Sequence, residues 1–311
     1  MTKVVRSKGG EYTDCIVSHF GFDQYSSNSK EKVFFWGWNA LLDKQLQEKY
    51  KHYSHRIFLD TASPCAFLSS KDFIESASYF TKFYTICPIT SEILNLNGIN
   101  SEAICFPYPS KKFKKYSNVD FDSKKYDCIY YGQIHDFFYK PMIKTISNYN
   151  HRFTTISSHG LDRELAGLVT NYNLTTEDKW SLINQSKSCV GVNLLFTKGR
   201  NPYVDHYIKN YNTTDKFVNM MLGDRMPQMK TRIVESAASN TLMLLYKDDF
   251  SIVEEWFKPN EHFVYWQDYQ HLNEILYDIS KNYSKYHGII KNAKKHVEEY
   301  SIENFWRKIN E

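Results

Sequence analysis

Two doubly wound, Rossmann-like α/β domains are what this chain predicts, and three observations carry the prediction. Short apolar runs alternate with segments of helical period, the pattern of a parallel sheet covered on both faces. One pair of prolines, Pro107 and Pro109, interrupts that pattern, which restarts at Tyr126. A length of 311 residues suits two domains better than one.

In the first half, Asp14–Phe20, Lys32–Trp36, Arg56–Leu59, Phe83–Cys87 and Ala103–Phe106 read as buried strands. Residues 40–52 and 71–80 have the apolar spacing of helices between them. Proline gives no N–H to a ladder and cannot continue a helix, so residues 107–124, with their lysines and polar run, read as a connector. Beyond it, Tyr126–Tyr131 is the next strand, closed by Gly132, and a helix opens near Pro141. Phe153–Ile156 follows as a strand. Glu177–Gln185 reads as a helix, with Thr175 or Thr176 to cap it and acidic residues in its first turn. Cys189–Leu195 reads as a strand, and a polar segment runs from there to about Lys230. Arg232–Ala238 predicts a helix, Thr241–Tyr246 and Phe263–Trp266 strands, and Leu272–Ile279 and Tyr286–Ile309 helices. The expected domains are residues 1–115, residues 116–285, and a C-terminal helix, 286–311, packing back toward the first domain.

Composition narrows the function classes. Hydrophobic residues make up 42%, enough for packed cores, yet the longest apolar stretches, such as Leu242–Leu245, are strand-sized, so no transmembrane segment is expected. Met1–Arg6 has charge but no apolar run behind it, which argues against a signal peptide and for a cytoplasmic protein. The six cysteines are scattered, without a Cys-x-x-Cys pair, and read as reduced thiols, neither a disulfide frame nor a zinc site. The Asn-x-Ser/Thr sequons then carry no weight. A net charge of +4 fits an anionic ligand and does not oppose nucleic acid. Twenty-four tyrosines and 21 phenylalanines could stack on sugars or bases, or reflect composition alone. Asp120-Phe121-Asp122 is a possible cation pair, but it lies in the connector with no strand leading into it, so no metal is expected. No Walker-type phosphate loop occurs, and Gly9-Gly10 lacks the strand and the Gly-Lys-Ser/Thr ending that one needs.

The segment from Lys230 to Leu245 is the sharpest candidate for chemistry. Lys230 and Arg232 stand at a helix start, Glu235 one turn on, small residues from Ser236 to Ser239, and an apolar strand beyond. Basic groups at a helix start suit a diphosphate, and a carboxylate in the next turn can take hydrogen bonds from ribose hydroxyls. The same spacing also fits a surface Arg232–Glu235 ion pair. Gly132, Gln133 and Lys140 form a strand-to-helix turn that could approach phosphates, or an ordinary turn. Ser157-Ser158-His159-Gly160, after the next strand, offers His159 and Gly160 for the same purpose. His19 and Asp60 sit at C-terminal ends of expected strands, the edge that faces ligands in open α/β sheets, and are the candidate catalytic bases. Residues 197–228 interleave Lys198, Arg200, Tyr203, His206, Tyr207, Lys209 and Tyr211, and read as an acceptor-binding insertion, a lid or a solvated loop.

The stretch Lys230–Ile279 resembles the donor-binding region of GT-B glycosyltransferases, in particular the spore-maturation-protein-like, family 1/4-type group. The resemblance rests on Arg232-Ile233-Val234-Glu235-Ser236-Ala237-Ala238, the Thr241–Leu245 strand, Asn260-Glu261-His262-Phe263-Val264-Tyr265-Trp266, and His271-Leu272-Asn273-Glu274-Ile275-Leu276. Asp127–Gly132, Glu177–Asn193 and Asn97–Pro107 are weaker echoes. The resemblance implies a GT-B fold and transfer of a sugar from a UDP- or GDP-sugar to a hydroxyl, most simply of a glycan. It further implies that Glu235 holds the donor ribose, that Arg232 or Lys230 meets the diphosphate, and that no cofactor is needed beyond this co-substrate. Two departures stand out. Many relatives carry a second Glu eight residues before the ribose-binding one, where this chain has Pro227, and Ser239-Asn240 replaces the usual glycine. Two alternatives remain at this point: a phage-type enzyme that glycosylates a hydroxymethylated DNA base, and a non-catalytic nucleotide-sugar-binding protein.

Overall fold

The computed structural model describes residues 31–116, 120–134, 138–158, 161–197 and 199–310, without the side chains of 38–39, and the backbone of residues 3–6. The expected strand Asp14–Phe20 with His19, and the candidates His159, Gly160 and Lys198, lie outside the described residues. In chain order the strands are β1 (Lys3–Arg6), β2 (Lys32–Trp36), β3 (His55–Asp60), β4 (Lys82–Thr85), β5 (Ser101–Ala103), β6 (Tyr126–Tyr131) and β7 (His151–Thr155). They continue as β8 (Asn171–Tyr172), β9 (Ser186–Gly191), β10 (Leu194–Phe196), β11 (Arg225–Pro227), β12 (Leu242–Tyr246) and β13 (Val264–Trp266).

Two compact units result. The first contains Met1–Pro107, Leu194–Met229 and Ile302–Glu311; the second contains Tyr108–Asn193 and Lys230–Ser301.

The first unit is built on a parallel sheet in the order β1-β2-β3-β4-β5. Strands β2 and β3 are buried almost residue by residue after their first positions, which is why they read as unbroken apolar runs. The helix Ile302–Asn310 belongs to this unit. Its Ile302, Phe305, Trp306 and Ile309 fall on one face by the 3.6-residue period. The Trp306 ring lies 4.9 Å from Phe34, and Phe305 lies 5.5 Å from Tyr84. The expected helix Tyr286–Ile309 is therefore two helices, His287–Val297 in the second unit and Ile302–Asn310 in the first, parted at residues 298–301.

The segment expected as a polar insertion is folded, and it groups with the first unit, so it interrupts the expected 116–285 domain. Strands β10 and β11 pair antiparallel, with helices Val204–Asn210 and Asp215–Leu222 between them. The Thr214 hydroxyl caps the second helix by accepting from the Phe217 N–H at 3.3 Å. Phe67 meets the rings of Tyr207 at 5.1 Å and Phe217 at 4.8 Å, and Asn201 donates to the Phe67 carbonyl at 2.9 Å. The many Asn, Lys and Asp residues mask these apolar faces in the sequence. Arg200 pairs with Asp205 on the exposed side.

The second unit has a six-stranded parallel sheet in the order β13-β12-β9-β6-β7-β8. From the central pair, β7 and β8 follow outward beyond β6, while β12 and β13 follow outward beyond β9. The direction of winding reverses between β6 and β9. The helix Arg232–Ala238 packs on β9 and β12, and His287–Val297 packs on that helix in turn.

Candidate functional site

In open parallel sheets the strand-order reversal leaves a crevice at the carboxyl ends of the two central strands. Here both strands reach that edge at a glycine. Strand β6 is followed by Gly132, at φ 132°, and β9 ends at Gly191. At Gly132 the reason is the Arg232 side chain, and at Gly191 it is mainly Leu245, whose Cδ2 would stand 3.0 Å from a Cβ. A Cβ on Gly132 would stand 2.5 Å from Arg232 Nη2, and one on Gly191 would stand 3.5 Å from its Cδ. At Gly132 a side chain would block the Arg232 path, and its backbone is one that other residues rarely adopt.

Arg232 is 9% exposed, with its guanidinium carbon 4.7 Å from the Tyr130 ring centre and 5.5 Å from that of Tyr131. Two aromatic faces stabilise a desolvated cation by about 2 kcal/mol or more each. Taking such a cation out of water costs several kcal/mol without a counter-charge. Among the described residues no carboxylate pairs with it, and its buried Nη1 has no hydrogen-bond acceptor.

Glu235 does not pair with Arg232, and it does not lie on the surface. Its side chain is 2% exposed. Oε1 accepts from Lys179 Nζ at 2.7 Å and from the Trp180 indole N–H at 3.1 Å. Oε2 accepts from the Tyr131 hydroxyl at 2.7 Å and, at 3.4 Å, from Thr231. A carboxylate has about four lone-pair sites, and these four donors address them. The ribose role implied by the resemblance thus meets a carboxylate already held by the protein. Burial and the neighbouring Glu235 charge together hold the Tyr131 phenol well above its ordinary range, so it stays a donor.

The other candidates separate. Gln133 is exposed, and its carbonyl accepts from the Tyr130 hydroxyl at 3.2 Å, closing the turn at Gly132. Lys140 turns to the helix Arg163–Leu168, pairing with Asp162 and, at 3.0 Å, with Glu164. Lys230 is half-buried at the point where the chain enters the second unit again. Ser236 is buried beside the Cys189 thiol. Asp60 is 3% exposed: Oδ1 accepts from the Ala62 N–H at 2.8 Å and Oδ2 from the Ser63 hydroxyl. Burial raises its carboxyl above the ordinary range, against the lowering by those bonds. Both oxygens serve the turn after β3. Lys179, Trp180, Tyr131 and Gly191 escaped the sequence reading. Lys179 and Trp180 looked like ordinary positions on a capped helix, and only the fold brings them to Glu235.

Among the described residues no group of three His, Cys, Asp or Glu side chains is placed to hold a metal, and Asp120 and Asp122 are exposed. No described helix is long and apolar enough to cross a membrane. The five described cysteines form no disulfide.

No protein-family model matches the sequence, and neither does any curated protein sequence. Solved structures do match. HepE from Anabaena, in complex with UDP-glucose, superimposes with a TM-score of 0.61 at 9% identity, over 100% of this chain and 98% of that one. A glycosyltransferase from Rickettsia africae gives 0.57 at 11% identity, over 99% and 88%. Sucrose-phosphate synthase from Thermosynechococcus elongatus gives 0.55 at 10%, over 95% and 75%. At such identities the likeness is one of fold: the chain has the GT-B architecture of two Rossmann-like α/β units. The narrower spore-maturation-like resemblance rests on the sequence motifs alone.

Proposed function

We propose that this protein is a glycosyltransferase whose donor is a nucleoside diphosphate sugar, with the diphosphate held at Arg232 beside Gly132. One observation carries the reading: a buried guanidinium that no carboxylate pairs with among the described residues, at the strand-order reversal of a parallel sheet. A diphosphate supplies that charge, and planar Arg donates to phosphate oxygens in pairs. The fold is shared with glycosyltransferases, one of them solved with UDP-glucose, which favours UDP as the nucleotide.

In the reaction, the bond from the sugar's anomeric carbon to the diphosphate oxygen breaks as a bond to the acceptor hydroxyl oxygen forms, and the hydroxyl proton passes to the departing diphosphate or to water. Negative charge grows on the departing diphosphate, and Arg232, held in place by the two tyrosine rings and already desolvated, stabilises it without reorganising. The favoured acceptor is a glycan hydroxyl. Glu235 acts in this scheme by fixing Tyr131, and with it one face of the Arg232 pocket.

The test is a thermal-shift screen against UDP-, GDP-, ADP- and dTDP-sugars, followed by assay of nucleotide release with glycan and DNA acceptors. A ligand at about 100 times its Kd stabilises by about 2.7 kcal/mol, a shift of several degrees. UDP-sugars are expected to give that shift, with release on addition of a glycan. Release with hydroxymethylated DNA alone would move the acceptor to DNA. A shift without release under any condition would indicate a binding protein, and no shift at all would overturn the reading.

A further inference from the structure

Two residues beyond Gly191, at the end of the second unit's β9 segment, stands Asn193. It is 1% exposed, and its buried Oδ1 has no hydrogen-bond donor among the described residues. Strand β9 and the helix Arg232–Ala238 pack together. Cys189 lies beside Ser236, and one alternation further toward the carboxyl edge Gly191 lies beside Arg232. Asn193 follows two residues after Gly191, past the carboxyl end of β9. Leaving a carboxamide oxygen dry costs about 1–3 kcal/mol, so buried groups of this kind are paired in all but a few cases.

The chemistry of the missing partner follows from the amide. As placed, the carboxamide presents its buried oxygen, an acceptor that needs an O–H or N–H. A diphosphate at neutral pH is almost wholly acceptor; it satisfies Arg232 and would repel the amide oxygen. A sugar hydroxyl gives one hydrogen bond and takes others. On the reading proposed above, we infer that Asn193 is a specificity-determining residue that accepts a hydrogen bond from a carbohydrate hydroxyl of the donor. That hydroxyl belongs either to the ribose or to the transferred sugar.

Calorimetric titration of the wild type and Asn193→Ala with UDP, 2′-deoxy-UDP and UDP-glucose separates the two. If the hydroxyl belongs to the transferred sugar, the variant binds UDP-glucose about 3- to 10-fold more weakly, the size of one neutral hydrogen bond, and binds UDP normally. If it is the ribose 2′-hydroxyl, UDP and UDP-glucose weaken together and 2′-deoxy-UDP is indifferent to the substitution. Equal affinities of variant and wild type for all three ligands would overturn the inference and leave the donor reading standing. A wild type that binds none of them would bring down the donor reading, and the inference with it. Should Asn193→Ala melt well below the wild type, Asn193→Ser, which keeps a small polar group, serves for the same comparison.

Discussion

Replacing Glu235 by Ala distinguishes a structural carboxylate from a ligand-binding one. The substitution removes the acceptor of Lys179, Trp180 and Tyr131 at once. Removing one partner of a buried ion pair costs about 3–5 kcal/mol, because the other charge is left uncompensated. Lys179 is 23% exposed and can partly turn to water, which argues for the low end. The Trp180 N–H is buried and cannot escape in this way, and each orphaned buried donor costs about 1–3 kcal/mol. A total near 4 kcal/mol corresponds to a fall in Tm of roughly 8–16 °C for a domain of this size. Scanning calorimetry of the apo protein measures it. Glu235→Gln, which keeps one acceptor and the shape, should lose less than half as much. Glu235→Ala combined with Lys179→Met should recover part of the loss, since the double variant buries no orphan charge. If Glu235→Ala melts within about 2 °C of the wild type and loses nucleotide affinity, the four-donor network contributes nothing and the carboxylate is the ribose ligand after all.

Lys124 gives a pH signature. Its ammonium donates to the carbonyls of Asn184 at 2.6 Å and Ser239 at 3.4 Å, and burial with the charge of Lys294 pulls it down to about 7. An unfolded lysine keeps its proton to about pH 10.4, so between pH 7 and 10 the unfolded chain binds more protons, and stability from this group rises with pH. The wild type should therefore gain on Lys124→Met, in urea titrations, from pH 7 to pH 10; a difference that is flat or falls contradicts this. Transfer activity is expected to survive excess EDTA, and complete loss restored by magnesium or manganese would reveal a metal site that this account omits.

Much of the fold was legible because buried parallel strands announce themselves as apolar runs. Lys32–Trp36 and Tyr126–Tyr131 begin and end where the sequence places them, and Arg232–Ala238 is a helix over the expected residues. What the sequence hid has two physical causes. The helices Val204–Asn210 and Asp215–Leu222 bury narrow apolar faces, Tyr207 on one and Phe217, Met220 and Met221 on the other, amid polar residues that dominate any average. The division of the chain between units is a matter of tertiary contact: Cys189–Leu195 reads as one strand, yet the chain passes between units after Asn193. At the site, Arg232 and Gly132 were visible as a basic residue and a strand-end glycine, but not as touching. Glu235 was visible as a carboxylate one turn from Arg232, and spacing offered either a surface pair or a ribose contact. Its partners Lys179 and Tyr131 come from 56 and 104 positions away in the chain, beyond the reach of local pattern.

The central proposal is that Arg232, which no carboxylate pairs with among the described residues, binds a diphosphate, and the Arg232→Gln variant tests it by calorimetry with UDP and with uridine, alongside apo melting. A buried cation without a counter-charge destabilises the empty protein, so the variant should melt at or above the wild-type temperature without ligand. A charge-assisted contact contributes about 1.5–3 kcal/mol, so its affinity for UDP should fall about 10- to 150-fold while that for uridine stays the same. Equal changes for UDP and uridine, or undiminished binding of UDP, would contradict the account.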